Sequence, residues 1–374
     1  MGTLATKEGT ERYAGRFSPQ IPPSHYRSAF GLKISSIGMG TYLGGIDDAT
    51  DRRYKEAALR AVGLGCNMFD TAINYRFQRS ERALGAAFKE MWDTCGVGRD
   101  ELFVATKGGY IPFDGAPPQD ATQYIREQYL DTGVLSGTDE VVRGAHCMAP
   151  SFLKNQFETS LSNLGLDAVD LYYIHNPEEQ LYEVERDTFM GRIEAAFALL
   201  ERFVSEGRLR FYGVATWSGF REDPNSPFYL SLSDLSEVAK EVGGDEHHMR
   251  FVQLPFNLAM PEALVSRNQM VNGTAVSLLE AAWELGIHVV ASSTLLQSQL
   301  TTNLPSFIST HLEGLRTDAQ RAIQFTRSIP GITSSLVGMS SPQHIDENME
   351  VATKDPATIE ALANLFSDAR SKGG

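Results

Sequence analysis

Cysteine is scarce in this chain: three in 374 residues, Cys66, Cys95 and Cys147, at spacings that suggest no metal site. So sparse and odd a set excludes a disulfide framework and points to a reducing compartment, the cytoplasm. Long apolar runs are missing too. No stretch approaches the roughly 18 residues of a membrane span. The opening MGTLATKEGTERYAG is polar and lacks the apolar centre of a secretion signal. Cations are in deficit, 33 Lys and Arg against 47 Asp and Glu, for a formal net charge of -14. That balance argues against nucleic acid or an anionic membrane as a standing partner. The glycine fingerprint of a doubly wound dinucleotide fold is absent as well, since the place after the first strand holds Gly38–Met39–Gly40–Thr41 without the remaining glycine. His247–His248 has no third ligand at useful spacing, which speaks against a metal.

What is present is a regular alternation. Hydrophobic content of 42% and charged content of 21% suit a chain with a large core. Strand-like stretches fall near 33–43, 66–70, 102–107, 169–175, 209–215, 250–256, 287–293 and 332–338. Amphipathic helical stretches fall near 51–65, 80–92, 151–164, 191–206, 232–243, 271–286, 317–328 and 342–352. Eight strands alternating with eight helices predict a closed (β/α)8 TIM barrel, with a doubly wound open sheet as the alternative. Residues 1–29 read as an arm of little periodicity, 30–374 as one barrel domain, and 356–370 as an extra helix outside it. The regular spacing breaks at 111–150, a proline-bearing insertion after the third strand. Such an insertion sits on the C-terminal face of a barrel, where Tyr124, Tyr129 and His146 are candidates for a lid, a substrate wall or an oligomer contact.

Three strands end in an ionisable residue. FDTAINY places Asp70 at a strand end and Tyr75 five residues on; VATKGG ends in Lys107; LYYIHNP ends in His175. If those strands lie side by side and parallel, Asp70, Tyr75, Lys107 and His175 meet at one rim as an acid–base site. A buried carboxylate needs a partner, and Lys107 supplies it. An ammonium beside a phenol is expected to lower the tyrosine from about 10, so that Tyr75 exchanges a proton near neutral pH.

These segments, with Ser80–Glu81 downstream, resemble the catalytic segments of the aldo–keto reductase superfamily over roughly residues 30–352. The resemblance implies a barrel that binds a nicotinamide cofactor without a Rossmann fold. It implies hydride transfer between that cofactor and an aldehyde or ketone, possibly a sugar, or the reverse. Tyr75 is then general acid/base, Asp70 and Lys107 tune it, and His175 orients the carbonyl. NADPH is the expected cofactor, with NADH as alternative.

The same resemblance assigns cofactor contacts. Gln253 in FVQLPFN is expected to hold the nicotinamide amide, and Gly338, Ser340 and Ser341, followed by Glu347 and Asn348, the adenosine phosphate. Gly40 and Thr41 at the first strand's end join them, as does Leu295. Three positions depart from the family pattern. Ser292 stands where an aromatic ring often stacks on the nicotinamide, Ala215–Thr216, followed by Trp217, stands in place of a Ser–Asn pair after the fifth strand, and His344 replaces a basic residue. The lost ring motivates a second reading, a nicotinamide-binding sensor or regulatory subunit with little turnover. A barrel glycosidase using Asp70 and Glu178 is the remaining alternative.

Overall fold

Strands form where β-branched and aromatic residues bounded by turn signals demand burial on both faces. In the computed structural model, which describes residues 3–372, they are β1 (Ile37–Gly40), β2 (Met68–Asp70), β3 (Phe103–Gly108), β4 (Val169–His175), β5 (Leu209–Ala215), β6 (Met249–Pro255), β7 (His288–Ser292) and β8 (Ile332–Gly338). Neighbours in sequence pair in parallel, and β8 closes on β1 through Gly338 and Gly40. Around this barrel run α1 (Asp48–Val62), α2 (Arg79–Glu90), α3 (Pro150–Leu164), α4 (Arg186–Ser205), α5 (Leu232–Gly243), α6 (Leu278–Glu284), α7 (Asp318–Ser328) and α8 (Pro342–Glu350). The extra helix follows at Ile359–Lys372. Met1, Gly2, Gly373 and Gly374 lie outside the described residues.

The core is double. Met68, Phe103, Leu171, Tyr173, Phe211, Phe251, Val290 and Leu336 fill the barrel interior, and a larger cluster joins the outer strand faces to the helices. A hairpin of Tyr26–Ala29 and Leu32–Ser35 plugs the bottom, with Phe30 at its tip 4.9 Å from the ring of Phe211. The insertion carries a small core of its own, where Ile111, Ile125, Tyr129, Leu135 and Cys147 pack on Phe152 of α3.

The chain differs from the sequence reading in three stretches. Helix 271–286 is half a hairpin: Gln269–Val271 pairs with Thr274–Val276 across Asn272–Gly273, both at positive φ, and α6 starts only after Ser277. Asn–Gly is the preferred two-residue turn of a tight hairpin, and here it overrides helical spacing. The stretch 33–43 is split by Ser36 into the plug strand and β1. Within 1–29, Thr6 caps a helix at Lys7–Gly15 whose buried Tyr13 donates to the carbonyls of Val62 (2.6 Å) and Cys66 (2.9 Å). No helix among the described residues is long and apolar enough to cross a membrane.

Gly213 of β5 faces an irregularity in β6 between Met249 and Phe251, and a Cβ there would sit 1.7 Å from the Phe251 carbonyl oxygen. Gly213→Ala is therefore expected to cost about 3 kcal/mol or more in chemical denaturation, whereas unchanged stability would mean the strands can part freely. Burial also holds two histidines neutral, His25 down at about 3 and His146 at about 4, from an ordinary 6.5. The unfolded chain protonates them near 6.5 and the folded chain far lower, so their contribution is complete above pH 6.5 and is lost as pH falls toward 4. Each is worth on the order of 3 kcal/mol at full extent, and unfolding measured between pH 7 and pH 4 should show the loss as proton uptake.

Candidate active site

Asp70 terminates β2 and is almost fully buried; Lys107, on the adjacent β3, is wholly so. The Lys107 ammonium donates to Asp70 Oδ1 and, at 2.8 Å, to the Thr71 carbonyl. The other carboxylate oxygen accepts from Gln253 Nε2 on β6 at 2.8 Å. Burial pushes the Asp70 carboxyl up and the Lys107 ammonium down, and each charge opposes the other's shift. With both carboxylate oxygens engaged, the charged pair is the arrangement this pocket is built for.

Beyond Asp70 the chain keeps contact with β3, as Thr71 N–H donates to the Ala105 carbonyl (3.0 Å) and Ile73 N–H to that of Lys107 (3.3 Å). That run delivers Tyr75 over the pair, its ring centre 5.0 Å from Lys107 Nζ. Three consecutive left-handed residues follow, Arg76, Phe77 and Gln78 at φ 49°, 57° and 69°. Non-glycine residues resist this conformation, by about 1–2 kcal/mol each. Contacts hold it: Arg76 pairs with Asp51 and donates to the Gly45 carbonyl (2.8 Å), while the Phe77 carbonyl accepts from Gly115 of the insertion (2.9 Å).

His175, at the end of β4, stands edge to face with Tyr75, ring centres 5.7 Å apart. Its Nδ1 is buried without a hydrogen-bond partner among the described residues. Burial, then Lys107, then His146 hold its imidazole well below the usual range, so it is neutral at pH 7. Tyr75 departs from expectation. Burial, then Asp70, Tyr42 and Tyr110, raise it well above an ordinary tyrosine instead of lowering it. The ammonium faces the ring while its charge is committed to Asp70, so the resting phenol keeps its proton.

The four residues meet at one cavity of about 440 Å³ at the C-terminal mouth of the barrel, lined by Asp70, Tyr75 and His175 with Lys107 beneath. Of the expected cofactor contacts, Gly40, Thr41, Thr216, Trp217, Gln253, Ser292, Leu295 and Gly338 line it. Three of these have side chains engaged elsewhere. Gln253 holds Asp70; Thr216 donates its hydroxyl to Glu178; Thr41 donates to Thr71 Oγ1 at 2.9 Å. Ser340, Ser341, His344, Glu347 and Asn348 are not on the wall. Glu347 accepts from Thr317 at 2.6 Å, binding α8 to the start of α7, and Asn348 is buried. Glu178 lies behind the cavity and accepts from the N–H groups of Trp217 (3.0 Å) and Ser218 (3.1 Å), a loop anchor.

The wall also includes Tyr42, Asn74, Tyr110, Asn176, Gln297 and Ser298, which the sequence reading did not single out. Tyr110 follows Gly108–Gly109, a glycine pair at a strand end that marks a tight crossing. Asn176 is left-handed at φ 46° immediately after His175, a conformation Asn tolerates well. Of the lid candidates, Tyr129 and His146 are buried inside the insertion and beneath the site, Tyr124 is half-buried against the insertion core, and none of the three lines the cavity.

Comparison with known proteins agrees with this geometry. The model of the aldo/keto reductase family matches residues 36–222. A Schizosaccharomyces pombe protein named "Putative voltage-gated potassium channel subunit beta" is 23% identical over 366 residues, spanning 93% of this chain and 94% of that one. From the same organism, the aldo-keto reductase yakc [NADP(+)] is 29% identical over 160 residues, 42% of this chain and 35% of that protein. Among solved structures, an aldo/keto reductase of Klebsiella pneumoniae in complex with NADP and acetate superposes with a TM-score of 0.62 at 18% identity, over 92% of this chain and 95% of the other. The last likeness speaks to the fold; the family model, spanning half of the sequence and all of Asp70, Tyr75, Lys107 and His175, places this chain in the aldo/keto reductase family.

Proposed function

We propose that this chain reduces an aldehyde or ketone to the alcohol, or runs the reverse reaction, with a nicotinamide cofactor and Tyr75 as general acid/base. The observation that carries the reading is the convergence of a protonated phenol, a neutral imidazole and a sealed ion pair on one cavity floor. NADPH is the cofactor proposed first and NADH second. The cavity suits such a group. Gly40 and Gly338 face each other on its wall with no atom closer than 3.8 Å to where a Cβ would stand, which leaves a flat slot. His175 Nδ1 and Thr294 Oγ1 are buried polar atoms beside it without partners among the described residues. Trp217, about half exposed at the rim, offers a ring surface that Ser292 cannot.

The nicotinamide, when bound, supplies or accepts the hydride at the carbonyl carbon. The residues do the rest. Neutral His175 donates a hydrogen bond to the carbonyl oxygen and fixes its direction. Tyr75 gives that oxygen its proton; its raised affinity for the proton keeps it loaded at neutral pH, and the alkoxide it meets is more basic still. Lys107 then lies 5.0 Å from the centre of the phenolate ring left behind, near enough to stabilise its charge. The aromatic Tyr42, Tyr110 and Trp217 with the amides of Asn74 and Asn176 fit a neutral polyhydroxylated substrate such as a sugar. The three unpaired cysteines suit a cytoplasmic setting.

A second reading, a nicotinamide-binding regulatory subunit with little turnover, draws support from the full-length likeness to the potassium channel subunit. Turnover separates the two. Tyr75→Phe is expected to lower carbonyl reduction by about 10²–10⁴-fold while quenching of reduced-nicotinamide fluorescence persists. Equal turnover in that variant removes Tyr75 as proton donor, and absence of turnover in the wild type on a broad aldehyde and ketone panel favours the regulatory reading.

A further inference from the structure

The insertion leaves the barrel at Tyr110 and returns at His146–Cys147, so that its two ends lie side by side against the end of β3. Cys147 N–H donates to the Gly109 carbonyl and Ile111 N–H to that of Ala145, both at 2.7 Å. Gln156 of α3 secures the join, accepting from Gly109 N–H at 2.8 Å and donating to the Tyr110 carbonyl at 2.6 Å. This brings His146 Nε2 to 2.7 Å from the backbone carbonyl oxygen of His175. The crossing is tight: a Cβ on Gly109, at φ 139°, would lie 2.7 Å from His146 Nε2 and 3.0 Å from that same carbonyl oxygen. Glycine is required there both by conformation and by space.

The position of the His146 proton follows from its neighbours. Arginine only donates, and Arg192 contacts Gln180 Oε1, so the amide nitrogen of Gln180 points the other way. That nitrogen lies 2.8 Å from His146 Nδ1, which must therefore accept. The ring proton is left on Nε2, where it donates to His175. Burial keeps this imidazole neutral, at about 4.

We infer that His146 is a positioning residue for His175, fixing the His175–Asn176 peptide and with it the stance of the His175 ring over Tyr75. The inference rests on the reading of His175 as the group that faces the carbonyl. Two further contacts hold the same corner. Asn176 N–H donates to the Ala215 carbonyl at 2.6 Å, and Asn176 Nδ2 donates to the Tyr110 hydroxyl at 2.9 Å. The Tyr110 ring stands edge-on to both imidazoles, each centre 5.1 Å away. A left-handed Asn176 next to the working histidine needs such support. The insertion is thus a strut under the site, built from the far end of a segment that begins beside it.

Two variants and one spectrum test this. His146→Leu keeps the volume and loses the donor; His146→Gln keeps a group that can donate to His175 and accept from Gln180. Misplacement by a fraction of an ångström should cost His146→Leu about 10- to 100-fold in kcat/KM for the carbonyl, with NADPH affinity by fluorescence unchanged. His146→Gln should restore most of that loss. Leucine at wild-type rates, or leucine and glutamine equally impaired, overturns the inference. Nitrogen NMR of the wild-type imidazoles reads the tautomer directly, whatever the turnover or the stability of the variants. His146 should be neutral and protonated on Nε2, and a proton on Nδ1 overturns the inference. Failure of the wild type to turn over any carbonyl would count against the reading of His175 instead, leaving the His146 tautomer to be judged separately.

Discussion

An ammonium and a carboxylate sealed from water cannot be left half made. Removing either partner of such a pair leaves an uncompensated buried charge, a loss of about 3–5 kcal/mol. The pair of Lys107 and Asp70 therefore fixes the relation of β2 to β3, and Gln253 extends the requirement across the barrel to β6. A second buried carboxylate stands behind it. Glu81 accepts from Thr106 at 2.6 Å and from Asn163 at 2.9 Å, tying α2 to β3 and α3. The closed sheet thus surrounds a polar centre whose hydrogen bonds are drawn from several strands and helices at once.

Around that centre the chemistry divides between a group that holds its proton and a group that never takes a second one. Burial raises Tyr75 and depresses His175, so at neutral pH one is loaded and the other is a neutral hydrogen-bonding group. In the proposed reaction the ammonium acts on the phenolate after proton transfer more than on the phenol before it. Strain is placed next to Tyr75, in the left-handed run Arg76–Gln78, and is contained by Asp51, Gly45 and the insertion. Both Tyr75 and His175 thus depend on the insertion, one through Gly115 and the other through His146.

Much of this was legible in the sequence because strand ends on a barrel are read in one dimension. An apolar run that stops at an ionisable residue announces both a strand and its mouth, and Asp70, Lys107 and His175 each do so. The rest was hidden for physical reasons. Asn272–Gly273 encodes a hairpin more strongly than the flanking residues encode a helix. The tyrosine shift was expected with the wrong sign, since proximity of Lys107 is visible in sequence and the depth of burial is not. Gln253 and Thr216 sit at the expected wall, yet their polar atoms are taken by Asp70 and Glu178, partners that only the folded chain supplies. His146 stands out in the sequence only as a candidate for a lid or wall, because its place against the His175 carbonyl depends on where a long excursion of the chain returns.

Whether the ion pair behaves as one unit is tested most directly by its unfolding energetics. Chemical denaturation of Asp70→Asn, Lys107→Met and the double variant should show each single change costing about 3–5 kcal/mol and the double costing less than the sum of the two. Losses that simply add would contradict it, and Asp70 and Lys107 would then be neighbours that contribute separately.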